Sequence, residues 1–246
     1  MKYLILVFFL TLQHLSIPHS YSQSLDDAQL SCLLEPSIQV EVSSSVPGVV
    51  HELYVERGEY IKRGEKIIEL NSAVQKAALY TAKAREDFAS RKLARNENLL
   101  KQNLLSESEK DELITEHQLA VLMLEEAKTQ VAQRSVMSPV DGVVVERNVS
   151  VGEYVGSEPI AEVVSLNPLH AEVVMRADVY PEFNNPMRVN LTTTYDGQLH
   201  SGNIIIVDKI IDAASGTFGI RIEIPNPDSL LPAGIKCQAY FEKVTH

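Results

Sequence analysis

The sequence predicts a mostly β, elongated molecule: a small β-sandwich opened at its middle by an inserted antiparallel coiled-coil hairpin of two α-helices, and a small antiparallel β-barrel. Three observations carry this expectation. The phrase GVVHELYVERGEYI, Gly48 to Ile61, returns ninety-four residues later as GVVVERNVSVGEYV, Gly142 to Val155. Between the copies, Ser72 to Gln133 contains neither Pro nor Gly and is dominated by Ala, Leu, Glu, Lys, Gln and Arg, the composition of helix. After the second copy the pattern changes to short alternating strands separated by turn residues.

Composition narrows the function classes first. The chain has 246 residues with 45% hydrophobic content, enough for a folded core. Its 22 basic and 33 acidic residues give a net charge of −11, which repels phosphate backbones and argues against nucleic acid as a partner. Met1-Lys2-Tyr3, the apolar run Leu4 to Leu12 and the small residues of Ser20-Tyr21-Ser22 have the layout of a secretory signal, with cleavage expected after Ser22. The run is about half the length a bilayer-spanning helix needs and Pro18 interrupts its extension, which favours a cleaved leader over a retained anchor. Residues 23–246 are then exported and acidic. Cys32 lacks the apolar-small-small approach of a lipid-attachment cysteine.

The sandwich is the first element, expected over residues 36–71 and 135–167. The two copies share Gly48/Gly142, Val55/Val149, Gly58/Gly152 and Tyr60/Tyr154, and continue as Ile67-Ile68-Glu69-Leu70 against Ile160-Ala161-Glu162-Val163. Each reads as short β-branched strands, with Gly58 and Gly152 free to take the positive φ of a tight turn. One copy alone leaves an apolar face in water, so the two are expected to pack about a pseudo-twofold axis.

The insertion, residues 72–134, is the second element. Gln102-Asn103-Leu104-Leu105-Ser106 interrupts it, and Ser106 followed by Glu109 forms a capping box at the start of a second helix. Leu113, His117, Ala120, Leu124, Ala127 and Val131 recur at alternating four and three spacing, a seam for a helical partner. On the first helix the seam is assigned to Val74, Ala77, Ala84 and Phe88, with Arg91 and Arg95 at its continuation, so pairing is expected to loosen toward the tip. Arms of about 28 residues project roughly 40 Å. His117 has no second metal ligand on its face and is read as a packed histidine.

The third element is the barrel, expected over residues 23–35 and 168–246. Its strands are read at Leu169 to Val174, Arg188 to Thr193, Leu199 to Val207, Phe218 to Ile224 and Ile235 to Phe241. Leu30, Cys32 and Leu34 can supply the strand that closes it. Ile235, Cys237, Ala239 and Phe241 share one face, so Cys237 points inward where Cys32 can meet it. Such a bond contributes on the order of 4 to 5 kcal/mol in the chain-entropy model; the competing reading is two separate buried thiols.

No nucleophile elbow, phosphate loop or zinc spacing is found, and no catalytic, cofactor-binding or metal-binding residue is assigned. His51, His170, His200 and His246 are scattered singly. Glu125-Glu126 and Asp26-Asp27 are adjacent solvated charges.

The two halves resemble the biotinyl-lipoyl fold, and the interrupted version resembles the periplasmic adaptor subunits (membrane fusion proteins, HlyD-like family) of resistance-nodulation-division (RND) efflux pumps. SPVDGVVVERNVSVGEYV is the most specific stretch, and the likeness runs from Glu35 to Phe241. The resemblance implies an inner-membrane transporter, a TolC-type outer-membrane channel and a homo-oligomeric ring of six as partners. It also implies that Arg95, Leu99 and Ser106, spaced Arg-x3-Leu-x6-Ser, form a channel-contacting tip. A carrier domain would need a modifiable lysine in the hairpin between the halves. The insertion replaces that hairpin and Lys66 and Lys76 read as solvated lysines, so carrier function is expected to be lost. An adaptor of an ABC-type exporter and a lipoyl or biotinyl carrier are the alternatives. Many family members continue into a membrane-proximal domain, whereas this chain stops at His246, so pump contact is expected to come from the barrel's lower rim or to be weaker.

The intact mass of the exported protein is expected to show residues 1–22 removed, no acyl or biotinyl increment, and an oxidised cysteine pair. Two free thiols would dispose of the bond, and a cofactor increment would restore the carrier reading.

Overall fold

The computed structural model describes residues 30–102, 104–184 and 187–243. The leader at 1–22, Asp26-Asp27 and His246 lie outside them. In chain order the elements are β1 (Leu30–Ser43), β2 (Gly48–Leu53), β3 (Tyr60–Ile61), β4 (Lys66–Leu70), α1 (Ala73–Lys101), α2 (Glu107–Ala132), β5 (Ser135–Met137), β6 (Gly142–Arg147), β7 (Tyr154–Val155), β8 (Pro159–Arg176), β9 (Met187–Thr193), β10 (Leu199–Val207), β11 (Thr217–Ile224) and β12 (Lys236–Lys243).

The repeat folds into the two halves of one sandwich. One layer is formed by β1, β8, β6 and β3, the other by β5, β4, β2 and β7. Between them lie Val50, Ile61, Ile67, Ile68, Leu70, Val144, Ile160 and Val163, all buried. Each half lends its turn strand to the other: Gly48 and Val49 of β2 pair with Val155 and Tyr154, and Tyr60 and Ile61 of β3 pair with Val143 and Gly142. The turns repeat the exchange. Gly58 N–H donates to Val144 O at 2.7 Å and Gly152 N–H to Val50 O at 2.9 Å, while Val144 N–H donates to Glu59 O at 3.0 Å and Val50 N–H to Glu153 O at 2.8 Å. Gly58 and Gly152 sit at φ 88° and 89°, conformations that a Cβ disfavours. The duplication also starts earlier than the quoted phrase. Ser44 Oγ donates to Val46 O at 2.6 Å and Ser138 Oγ to Val140 O at 2.7 Å, four residues before each strand-opening glycine.

The barrel is closed: β1, β12, β9, β10, β11 and β8 follow one another, and β8 pairs back onto β1. β11 alternates strictly, sending Phe218, Ile220, Ile222 and Ile224 inward onto Leu34, Leu169, Leu191 and Phe241. A 3-10 turn, Ala177–Asn184, stoppers the end away from the sandwich. There Tyr180 and Phe183 meet Phe218 edge-on at 4.9 and 5.8 Å, and Phe183 meets Phe241 at 5.6 Å.

Two expectations are corrected here. The barrel strand anticipated from Leu169 is the second half of β8, which runs unbroken out of the sandwich from Pro159. Asn167-Pro168, at the expected boundary between sandwich and barrel, lies within β8, and β1 absorbs it by a register shift between Pro36 and Ile38. Buried Asn226 locks the junction, donating from its side chain to Leu166 O at 2.9 Å and Leu231 O at 3.0 Å. The second correction concerns α1. Val74 is 77% exposed and Phe88 52%. The face turned toward α2 instead carries Gln75, Leu79, Ala82, Glu86, Ala89, Leu93 and Asn96, buried or half-buried at alternating four and three spacing. The pattern continues through Leu93 and Asn96, so Arg91 and Arg95 do not interrupt it. The α2 seam lies where its spacing put it, with Ala120 and Ala127 buried.

A Cβ at Gly142 would stand 2.2 Å from Val164 O, the backbone of the adjacent strand, whereas one at Gly58 meets nothing within 4 Å. Gly142→Ala is therefore expected to cost about 3 kcal/mol by prising β6 from β8, and Gly58→Ala about 1 kcal/mol through its φ alone. Urea midpoints check the order, and equal shifts count against it.

Candidate functional site

The hairpin leaves the sandwich from two neighbouring strands. Glu69 of β4 pairs with Ser135 of β5, so the arms begin side by side. Leu70 N–H donates to Arg134 O at 2.7 Å, Asn71 N–H to Val49 O at 2.9 Å, and the Arg134 guanidinium to Pro47 O at 3.0 Å. These bonds clamp the base. Two helices of 29 and 26 residues then run out roughly 40 Å and back.

Along the seam both helices bury small residues, Ala82 and Ala89 on α1 and Ala120 and Ala127 on α2. Among these small residues sit polar pairs that the sequence reading missed: Lys92 Nζ lies 2.6 Å from Glu116, and His117 Nε2 lies 3.8 Å from Glu86. The Glu116 carboxylate raises the Lys92 ammonium above its ordinary value, chiefly by direct hydrogen bonding. The missed signal was available in Ala82 and Ala89, seven residues apart, as Ala120 and Ala127 are on the other arm.

At the tip, Arg95 and Leu99 lie on the last turns of α1, both exposed, and Arg95 makes no ion pair among the described residues. Ser106 is the N-cap of α2. Its hydroxyl accepts from Glu109 N–H at 3.2 Å, and the Glu109 carboxylate accepts from Ser106 N–H at 2.9 Å, closing the capping box. Bonds from the Ser106 hydroxyl and backbone hold the Glu109 carboxyl below its ordinary value. A carboxyl lowered by folding stabilises the fold above the ordinary carboxylate range and loses that contribution as pH falls through its lowered pKa, so acid weakens this cap. Leu104, 65% exposed, adds an apolar side chain to this end.

The remaining candidates sit elsewhere. Cys32 and Cys237 face each other in register on β1 and β12, with Sγ–Sγ 2.06 Å and Cα–Cα 4.8 Å. Lys66 and Lys76 reach Glu69 at 2.7 and 3.3 Å on the sandwich surface. Gly48 and Gly142 open strands, and Gly58 and Gly152 make the turns. His200 pairs with Asp196 at 2.9 Å, and His170 lies in register between Glu35 and Glu223. Among the described residues no group of three His, Cys, Asp or Glu is placed to hold a metal ion, and no helix is long and apolar enough to cross a membrane. The arrangement offers contact surfaces.

Replacing the cap by Ser106→Ala is expected to weaken the start of α2 by about 1 kcal/mol, and Ser106→Asp to retain most of it. Hydrogen exchange should quicken at Ser108 to Glu112 while sandwich amides keep their rates. Uniform change across both would mean the cap is not local.

Comparison with known proteins agrees with this architecture. Residues 38–165 match the family model described as CzcB-like, barrel-sandwich hybrid domain. The chain is similar to the multidrug resistance protein MdtA of Escherichia coli (strain SMS-3-5 / SECEC), 29% identical over 220 residues covering 78% of this chain and 52% of that protein. It is likewise similar to the antibiotic efflux pump periplasmic linker protein ArpA of Pseudomonas putida, 25% identical over 214 residues, 79% of this chain and 57% of the other. The chain thus spans about half the length of the curated relatives it matches. In fold it is similar to a MacA-MexA chimeric protein carrying the Pseudomonas aeruginosa MexA α-hairpin domain, with TM-score 0.74 at 19% identity over 88% of this chain and 81% of that one. The duplicated sandwich, the hairpin rising from its midpoint and the matched residues 38–165 make this chain a member of the CzcB-like barrel-sandwich hybrid family.

Proposed function

We propose that the protein is an exported periplasmic adaptor, its leader 1–22 removed, that links an inner-membrane efflux transporter of RND type to a TolC-type outer-membrane channel for export of small molecules. The observation that carries this reading is the hairpin itself. A reach of roughly 40 Å, clamped at its base to a rigid sandwich and finished by a capped tip, serves contact at a distance.

The tip residues divide the work. Arg95 offers a forked, unpaired donor set to carbonyls or carboxylates, and Leu99 an apolar knob. The Ser106 hydroxyl is engaged by Glu109, so its part is to fix the turn on which the other two stand. At the other end, β1 begins and β12 ends on the barrel rim away from the sandwich, since Leu30 pairs with Ala239 and Cys32 with Val173. That rim faces the transporter in this reading. The sandwich, taken as 36–71 with 135–167, and the barrel, taken as 23–35 with 168–246, close side to side into a homo-oligomeric ring of six. The role is non-enzymatic, with neither cofactor nor metal.

A Leu99→Cys variant carries a single reactive thiol, because the native cysteines are bonded to each other. A thiol-directed cross-linker on whole cells is expected to capture an outer-membrane channel, and Arg95→Glu to lower the yield about tenfold. Capture of soluble enzymes alone would overturn the assembly reading.

A further inference from the structure

The barrel rim away from the sandwich carries an apolar feature that neither core uses. β10 and β11 pair as far as Val207 and Ile220, and beyond that the ladder is irregular. Asp208 N–H donates to Gly219 O at 2.9 Å, and the next bond runs from Asp212 N–H to Thr217 O at 2.8 Å. Between these two pairs one strand advances four residues and the other two. Lys209, Ile210 and Ile211 take up the surplus as an outward bulge, on which Ile210 is 83% exposed. A register shift between Ile204 and Ile206 leaves Ile205 and Ile206 exposed just before it. Four exposed isoleucines at one end of one hairpin mark a contact surface.

The bulge is held in shape by the chain around it. The Asp212 carboxylate accepts from Ala214 N–H at 2.9 Å, Ser215 N–H at 2.8 Å and the Ser215 hydroxyl at 2.9 Å, and the Asp208 carboxylate accepts from Gly219 N–H at 3.2 Å. Gly216 N–H donates to Asp212 O, and Gly216 O accepts from Ala177 N–H at 2.9 Å. The backbone donors of this turn are thus satisfied within the barrel, as a medium without hydrogen-bonding groups requires. The amino end of the fold lies on the same side. β1 starts at this rim, since Leu30 pairs with Ala239 and Cys32 with Val173, so the export leader joins the fold at the end that carries the bulge.

From this geometry we propose that Ile210 and Ile211 insert beneath the headgroups of a lipid bilayer, so that the barrel stands on a membrane surface by the end of its β10–β11 hairpin. Lys209, exposed in the same bulge, has the length to reach phosphate oxygens at headgroup level. A net charge of −11 opposes an anionic surface, so the fit is to zwitterionic lipid. Two isoleucines bind weakly. In a closed ring every copy turns this rim to one side, and the contacts reinforce one another. Only that reinforcement rests on the adaptor reading; insertion by a single chain needs neither transporter nor channel.

The test uses the full exported chain, which contains no Trp, so one introduced Trp reports its own surroundings. Emission of the Ile210→Trp protein is expected to shift to the blue on addition of phosphatidylcholine vesicles and to be quenched by lipids brominated just below the headgroup. Leu230→Trp, at a site 73% exposed on the opposite end of the barrel, should show neither effect. Adding Ile211→Ser to Ile210→Trp should raise the lipid concentration at half-shift about tenfold. Vesicle flotation supplies the second arm, with Ile210→Ser/Ile211→Ser expected to float about tenfold less than the chain with its own isoleucines. Both sites are exposed, so an unchanged urea midpoint verifies folding. An unshifted Ile210→Trp spectrum, equal quenching of Ile210→Trp and Leu230→Trp, or binding confined to anionic vesicles and abolished by salt would each overturn the proposal. So would a shift seen only when the vesicles hold the transporter, which would assign the bulge to a protein contact. Channel capture through Leu99→Cys is read separately, and neither result decides the other.

Discussion

Neither half of the duplicated sandwich can bury its own apolar face, and the rest of the molecule is built on that deficit. The cure is reciprocal: each half gives a two-residue strand and a glycine turn to the other, so Gly58 bonds to Val144 and Gly152 to Val50. Once the halves are locked across the axis, the connection between them is free of structural duty. A short hairpin would suffice there, as would an insertion of any length whose ends lie on adjacent strands. β4 and β5 supply such ends, and α1 and α2 can extend without disturbing the core that carries them.

The second constraint is continuity. β1 and β8 pair with each other through both bodies and so make the sandwich and barrel one β-structure joined by two strands. Their shared irregularity at Pro36–Ile38 and Leu166–Pro168 is where the sheet changes from open layer to closed barrel, and Asn226 spends its side-chain hydrogen bonds holding that point. Position of the hairpin relative to the barrel is therefore transmitted through backbone pairing.

Much of this was legible in the sequence because it rests on local rules. The glycines of the repeated phrase mark turns by themselves, and the absence of Gly and Pro from Ser72 to Gln133, with Ser106 and Glu109 at the break, marks two helices and their joint. The α1 seam was not legible from hydrophobic size. Ala82 and Ala89 are chosen for close approach, Gln75, Glu86 and Asn96 are polar, and the bulky Val74, Tyr80 and Phe88 face outward. β8 was hidden for a related reason: Asn167-Pro168 has the chemistry of a turn, and only the tertiary partner β1 makes it a bulge. At the tip, the capping-box spacing of Ser106 and Glu109 was legible, and the serine hydroxyl is engaged by Glu109 as that spacing requires.

The pairing of β1 with β12 has a consequence for how the molecule comes into being. Cys32 and Cys237 are 205 residues apart, and the barrel's first wall waits for its last. A chain that folds as it emerges, amino end first, can wind its helices early, since those contacts are local, and can close its sandwich once β8 has followed, yet the barrel waits for β12. Interrupted synthesis would leave exposed barrel-strand edges and an unmated thiol, both readily recognised by proteases and oxidoreductases.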